Sequence, residues 1–254
     1  MMTTETTILP AVFEGGGKIG CDIVIFDLDG TLVDSGPGIK GSVRRAVAEL
    51  SLPTLSEKEL DAFIGPPMGQ SFRQRLGLTP SLAAKALRLY RANYCRRGIY
   101  DAIVYDGIPE LLADLRAKGY RLALGTSKPW VLAHRVLRHF GLRAYFDSVF
   151  GSYQNGRLDN KAAVLGELLA HYAGARPLGP GRLAFAAQPP GKPGEARALM
   201  IGDRLYDVEG AKERGLPTAG VAYGYGGRAE LLGAGAILVV DHPSELSVLL
   251  PAKM

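Results

Sequence analysis

Three carboxylates follow directly on the most hydrophobic stretch of the chain. In "CDIVIFDLDGTLVDS" (residues 21–35) the apolar run Ile23-Val24-Ile25-Phe26 leads into Asp27, Asp29 and Asp34, interrupted by Gly30. Later apolar runs also end in polar groups. "GTSKP" offers Thr126 and Ser127 with Lys128 beside them, "LDNKAAVL" carries Lys161, and "MIGDRLYD" ends in Asp203 and Asp207. If Asp27, Asp29, Asp203 and Asp207 share one pocket, each close pair repels by about 4 kcal/mol at 4 Å and an effective dielectric near 20. Such a cluster calls for a cation, and oxygen-only ligands point to Mg²⁺ rather than zinc. The hydroxyls and the lysine suit an anion, and Pro129 opens a helix whose free N–H groups favour one at its amino end. Phosphate fits. A carboxylate beside Mg²⁺ can attack phosphorus to form an aspartyl-phosphate. A second carboxyl two residues away can protonate the leaving oxygen and then activate water.

Strands and helices must bring these residues together. Strand-like runs are expected at 22–27, 120–126, 146–151, 197–203, 217–223 and 236–240. Between them "GIPELLADLRAKG" and "PWVLAHRVLRHFG" show helical spacing, each closed by a glycine. Strand-then-helix alternation predicts an α/β fold with a doubly wound, Rossmann-like parallel sheet covered on both faces. In such sheets ligands bind at the carboxyl ends of the strands. Residues 37–105 break the alternation and carry helical patterns only, as in "SLAAKALRLYRANY". The expected organisation is therefore a flexible leader at 1–20, a core formed by 21–36 and 106–254, and an inserted helical domain at 37–105. The crossings near Ser35-Gly36 and Tyr105-Asp106-Gly107 would serve as hinges. The stretch 173–195 has ten Gly or Pro among 23 residues. That is long for a helix-to-strand connection, and it is expected to be a floppy or partner-binding loop with "RLAFAA" as a short hairpin arm.

Composition limits the remaining classes. Of 254 residues 47% are apolar and 22% charged, which is ordinary globular usage. No apolar run approaches the roughly 18–20 residues that span a bilayer, and the leader does not read as a signal peptide. Two cysteines, Cys21 and Cys95, make no disulfide framework, so a cytoplasmic location is expected by default. The net charge of +5 is uneven: Met68 to Arg97 holds seven basic residues and no acidic one. That stretch reads as a solvated face or as a wall attracting a small anion. No nucleic-acid motif accompanies it.

"DLDGTLVDS", "GTSKP", a separate lysine and "MIGDRLYDVEGAKERG" resemble the four ordered motifs of the haloacid dehalogenase superfamily, in its phosphatase branch. "GVAYGYGGRAELLGAGA" and "FIGPPMGQSF" further resemble its phosphoglycolate phosphatase-like and nucleotidase-like members. The resemblance implies Asp27 as nucleophile and Asp29 as acid/base whose backbone carbonyl also ligates Mg²⁺. It implies Asp203 as metal ligand, with Asp207 as a ligand or its neighbour. Thr126, Ser127, Gly30 and Lys161 would surround the phosphate, with Lys128 a rival for the lysine role. The helical insert would be a mobile cap, and Arg73 or Arg75 in it would contact an anionic leaving group. The implied activity is a Mg²⁺-dependent phosphomonoesterase acting on a small phosphorylated metabolite. Phosphoglycolate is the first expectation and a nucleoside monophosphate the second, with no nucleic-acid or membrane partner and a monomer or dimer left open. A phosphomutase shares the aspartate pair. A phospho-accepting signalling module shares the Asp, hydroxyl, lysine and Mg²⁺, though not the insert or Asp29.

Overall fold

The structure is a computed structural model, and it describes residues 7–14, 17–153, 157–174 and 195–253. In chain order the first elements are β1 (Thr7–Pro10), β2 (Val12–Glu14), β3 (Lys18–Gly20), β4 (Ile23–Phe26) and β5 (Val33–Asp34). Four helices follow: α1 (Gly36–Glu49), α2 (Glu57–Asp61), α3 (Met68–Arg75) and α4 (Pro80–Arg96). Then come β6 (Ile103–Val104), α5 (Ile108–Ala117), β7 (Arg121–Pro129), α6 (Trp130–His139), β8 (Ser148–Ser152) and α7 (Lys161–Tyr172). The chain ends with β9 (Glu195–Gly202), α8 (Leu205–Lys212), β10 (Thr218–Val221), α9 (Gly227–Ala234), β11 (Leu238–Val240) and α10 (Pro243–Leu249).

The main sheet runs β11-β10-β9-β4-β7-β8 with every neighbouring pair parallel. All four residues of β4 are fully buried, as a central strand covered on both faces requires. Alternate residues serve opposite layers. Val24 and Phe26 join Leu122, Leu124, Leu199 and Ile201 in one cluster with α5 and α6 residues. Ile23 and Ile25 join Ala123, Ala198 and Met200 in a second cluster with Leu165, Leu168 and Ala211 of α7 and α8. Each fully buried Ile, Val or Phe contributes roughly 1.5–3 kcal/mol. Among the described residues no helix is long and apolar enough to cross a membrane.

The leader departs from expectation. Residues 7–10 form a strand parallel to β9, and residues 12–14 pair antiparallel with 18–20. β10 meets β9 only at Met200–Gly202, whereas β1 takes the register Glu195–Ala198. The early half of β9 would otherwise present unpaired backbone, and β1 fills that gap. Residues 1–6 lie outside the described residues, as do 175–194, which hold most of the Gly- and Pro-rich connection and its expected hairpin arm.

The helical insert enters and leaves through one joint. β5 and β6 pair antiparallel with Val33 opposite Val104, so the two crossings are tied to each other. Asp34 belongs to this joint and not to the carboxylate cluster: its carboxylate accepts from the Gly36 N–H at 3.0 Å and from the Tyr225 hydroxyl. Inside the insert α1 packs along α4, and Phe63, Phe72, Tyr90 and Tyr94 supply its buried aromatic core.

Candidate active site

Register places the chemistry on one edge. Phe26 pairs with Leu124 on one side and Ile201 on the other. Asp27 follows Phe26 directly, and Thr126 and Asp203 come two residues after Leu124 and Ile201, so the three emerge together at the carboxyl ends of adjacent strands. Asp27 is 7% exposed, Thr126 1% and Asp203 0%.

Oxygen atoms of Asp27, Asp203 and Asp207 lie within 4.8 Å of one another, and all three residues are buried. Burial raises the Asp27 carboxyl to about 6, with repulsion from Asp207 and Asp29 adding to it against the pull of Lys161. Burial and the charges of Asp207 and Asp27 push Asp203 well up. Burial and mutual repulsion work against the ionised forms of Asp27 and Asp203, and the three carboxylates offer an oxygen donor set that fits Mg²⁺. Further donors orient them. Thr31 Oγ1 donates to Asp203 Oδ1 at 3.2 Å, and the Tyr225 N–H donates to Asp203 Oδ2 at 2.9 Å. Asp207 sits in the first turn of α8 and accepts from the Arg204 N–H at 3.1 Å.

The two lysines divide the two strand-end aspartates. Lys161 opens α7, whose amino end is capped by Asn160 accepting from the Ala163 N–H. Its ammonium lies 2.6 Å from Asp27 Oδ1, 2.7 Å from Asp207 Oδ1 and 2.9 Å from the Gly125 carbonyl. Burial works against this charge, but Asp207 and Asp27 hold it above its ordinary pKa. Lys128 donates to both oxygens of Asp29, 2.6 Å from Oδ2. Asp29 thus has a lysine partner of its own, distinct from that of Asp27.

Two glycines make the close approaches possible. A Cβ at Gly30, where φ is +90°, would stand 2.1 Å from Asp203 Oδ2. One at Gly210 would meet Lys161 Cβ and Cγ at 2.7 Å, so α8 reaches α7 only because Gly210 is bare. Gly30 was expected beside the phosphate, but its N–H donates to the Val33 carbonyl at 2.8 Å. Its place is to admit Asp203.

A cavity of about 440 Å³ opens over these residues. Asp27, Asp29, Thr126, Ser127, Lys128, Lys161 and Asp207 form its floor; the insert supplies Phe63, Met68, Leu87, Tyr90, Arg91 and Tyr94. Thr126 Oγ1 accepts from the Lys128 N–H at 3.2 Å, which leaves its own proton for a ligand. Arg73 is exposed and outside this lining. It sits on the solvent side of α3, and Arg91 is the insert arginine that reaches the cavity. Of the seven basic residues in the stretch, the other six are exposed, so most of that charge is a solvated face. Sequence reasoning gave no individual role to Arg91, Thr31 or the Tyr225 N–H, although each lies in a stretch it had singled out: the basic run 68–97, "DGT" and "GVAYGYGGRAELLGAGA".

Residues 21–215 match the family model described as haloacid dehalogenase-like hydrolase. Tyrosine-protein kinase PtkA of Mycobacterium tuberculosis is 40% identical over 227 residues, covering 89% of this chain and 70% of that protein. The 5'-nucleotidase of Pseudomonas aeruginosa is 38% identical over 208 residues, covering 82% and 86%. A plasmid-borne phosphoglycolate phosphatase of Cupriavidus necator is 31% identical, covering 93% and 96%. Among solved structures, a predicted phosphatase from Clostridium acetobutylicum superposes with a TM-score of 0.77 at 36% identity, covering 90% and 97%.

Proposed function

This chain belongs to the haloacid dehalogenase-like hydrolase family, and from that premise we propose that it is a Mg²⁺-dependent phosphomonoesterase working through an aspartyl-phosphate at Asp27. The observation that carries this reading is the separation of two neighbouring aspartates into different environments. Asp27 sits in the buried cluster against Lys161, while Asp29, two residues on, is held by Lys128. Paired carboxylates in contrasting surroundings are how one site supplies both a nucleophile and an acid/base.

Asp27 attacks phosphorus through a carboxylate oxygen, and the bond from phosphorus to the leaving oxygen breaks. The electron pair stays on that oxygen, which takes a proton from the Asp29 carboxyl. Thr126 and Lys161 hold the phosphoryl oxygens, with Ser127 beside them. Water then attacks phosphorus and loses a proton to Asp29, the Asp27–phosphorus bond breaks, and phosphate leaves. Mg²⁺ held by Asp27, Asp203 and Asp207 and the Asp29 carbonyl would offset the negative charge gathered there.

The cavity supports a different order of substrates from the one expected. Its volume lies in the range of small-molecule sites, and Phe63, Met68, Leu87 and Tyr90 give its insert side an apolar, aromatic character. A two-carbon phospho-acid such as phosphoglycolate would leave much of that apolar side unfilled. A nucleoside monophosphate offers a base to lie against it, and Arg91 and Gln70 line the same space. Nucleoside monophosphates are therefore the first substrate class and phosphoglycolate the second.

The relative named as a tyrosine-protein kinase favours one further reading, in which a tyrosine hydroxyl replaces water as the phosphoryl acceptor. A single panel separates these. Phosphate release is measured with Mg²⁺ or chelator on nucleoside monophosphates, phosphoglycolate and phosphotyrosine, and γ-labelled ATP is offered with a tyrosine peptide. Mg²⁺-dependent, multiple-turnover release, fastest from a nucleoside monophosphate, is the predicted outcome and excludes a signalling module. Label on the peptide without free phosphate contradicts the phosphatase reading. Stable transfer to a second substrate hydroxyl would mark a phosphomutase.

A further inference from the structure

Lys128 has no part in the steps above, yet it is 8% exposed and aimed at their centre. Its ammonium holds both oxygens of Asp29. The same ammonium lies 5.1 Å from the centre of the Tyr94 ring, a separation at which a ring face attracts a cation. Lys128 and Asp29 stand at strand ends of the sheet, whereas Tyr94 belongs to α4 in the insert. Behind Tyr94 the rings continue. Tyr90 stacks on it at 5.4 Å and 10°, Phe72 meets Tyr90 edge-on at 6.3 Å, and Phe63 meets Phe72 at 5.4 Å. Phe63, Tyr90 and Tyr94 also line the cavity. An unbroken series of ring contacts thus runs from the substrate space to the counter-ion of Asp29.

We propose that Lys128 is a positioning residue through which the helical insert, by way of Tyr94, sets the Asp29 carboxyl for proton transfer. This rests on the reading of Asp29 as the acid/base. A carboxylate gripped at both oxygens keeps one orientation. When Asp29 carries its proton, Lys128 donates to the carbonyl oxygen, and the O–H is left facing the leaving oxygen. Without the Tyr94 ring its flexible stem has other places to put the charge, and Asp29 loses its fixed direction. Proton delivery then depends on the insert being seated, which ties the chemistry to a filled cavity.

The test compares leaving groups. kcat/KM reports events up to departure of the leaving group, so it isolates the step in which Asp29 gives its proton. p-Nitrophenyl phosphate releases a stable phenolate without protonation, whereas an alkyl ester such as glycerol 2-phosphate requires it. General acid catalysis contributes roughly 10²–10⁴-fold. Lys128→Met is expected to lower kcat/KM for glycerol 2-phosphate at least tenfold more than for p-nitrophenyl phosphate. Tyr94→Leu shifts the ratio in the same direction, and Tyr94→Phe, which keeps the ring, preserves it. Equal losses on both esters, or none, overturn the proposal. Should Lys128→Met fail to fold, the ratio in Tyr94→Leu decides. Full activity of Asp27→Asn would instead sink the phosphatase reading, so the two failures are distinct.

Discussion

Lys161 reaches Asp207 from the first turn of the neighbouring helix, Nζ to Oδ1 at 2.7 Å. One ammonium at the start of α7 thereby offsets charge contributed by α8 and, through Asp27, by β4. The contact depends on how closely the two helices approach, and Gly210 sets that distance.

Removing this ammonium leaves buried carboxylates uncompensated. Lys161→Met should lower stability by about 3–5 kcal/mol, the usual cost of breaking a buried pair, and reduce turnover by at least a hundredfold. Thermal unfolding in chelator and in excess Mg²⁺ checks it: the metal should restore part of the lost stability. Gly210→Ala, which crowds the stem of Lys161, should lower turnover in the same direction.

Gly30→Ala is predicted to disable the site while leaving the sheet intact. The new Cβ collides with the Asp203 carboxylate, and φ of +90° is unfavourable for alanine. Mg²⁺ affinity measured by titration calorimetry should fall at least tenfold. Unchanged affinity would show that Asp203 can be displaced at no cost to the metal site.

The strand-end groups were legible in the sequence because a parallel sheet brings every carboxyl end to one edge. Asp27, Thr126 and Asp203 needed only their place after an apolar run. That Arg73 lies outside the cavity lining was not legible, because helical spacing does not say which way a helix is rolled. Residues of α3 and α4 carry arginines on several faces, and only packing of Tyr90 and Tyr94 turns Arg91 inward. The strand at 7–10 was not legible either, since its pairing depends on the part of β9 that β10 leaves uncovered. The grip of Lys128 on Asp29 joins residues 99 apart, and no spacing rule announces it.

Arg91→Ala should raise KM for the best substrate at least fivefold with kcat little changed, whereas Arg73→Ala should leave both within twofold. Steady-state kinetics on the substrate found in the panel checks this pair. An effect of Arg73 alone would return the leaving group to the α3 side of the insert.

His134 predicts a pH dependence of stability. Burial, with Arg143 and Arg138 nearby, lowers its pKa from 6.5 to about 4, and its Nε2 has no hydrogen-bond partner among the described residues. Between those values the unfolded chain binds more protons than the folded one, so stability falls as pH drops from 6.5 toward 4 and is fully present above 6.5. His134→Phe, which can keep an edge contact with Trp130, should flatten the fall in melting temperature between pH 7 and pH 5. An identical fall in both proteins would assign that dependence to other groups.

The central claim is that Asp27 forms the covalent link to phosphorus and that a divalent cation makes its cluster workable. Hydrolysis of p-nitrophenyl phosphate by the intact protein and by Asp27→Asn, each in Mg²⁺ and in chelator, tests it most directly. The account predicts turnover only in the intact protein with Mg²⁺. Turnover that survives either the substitution or the chelator would contradict it.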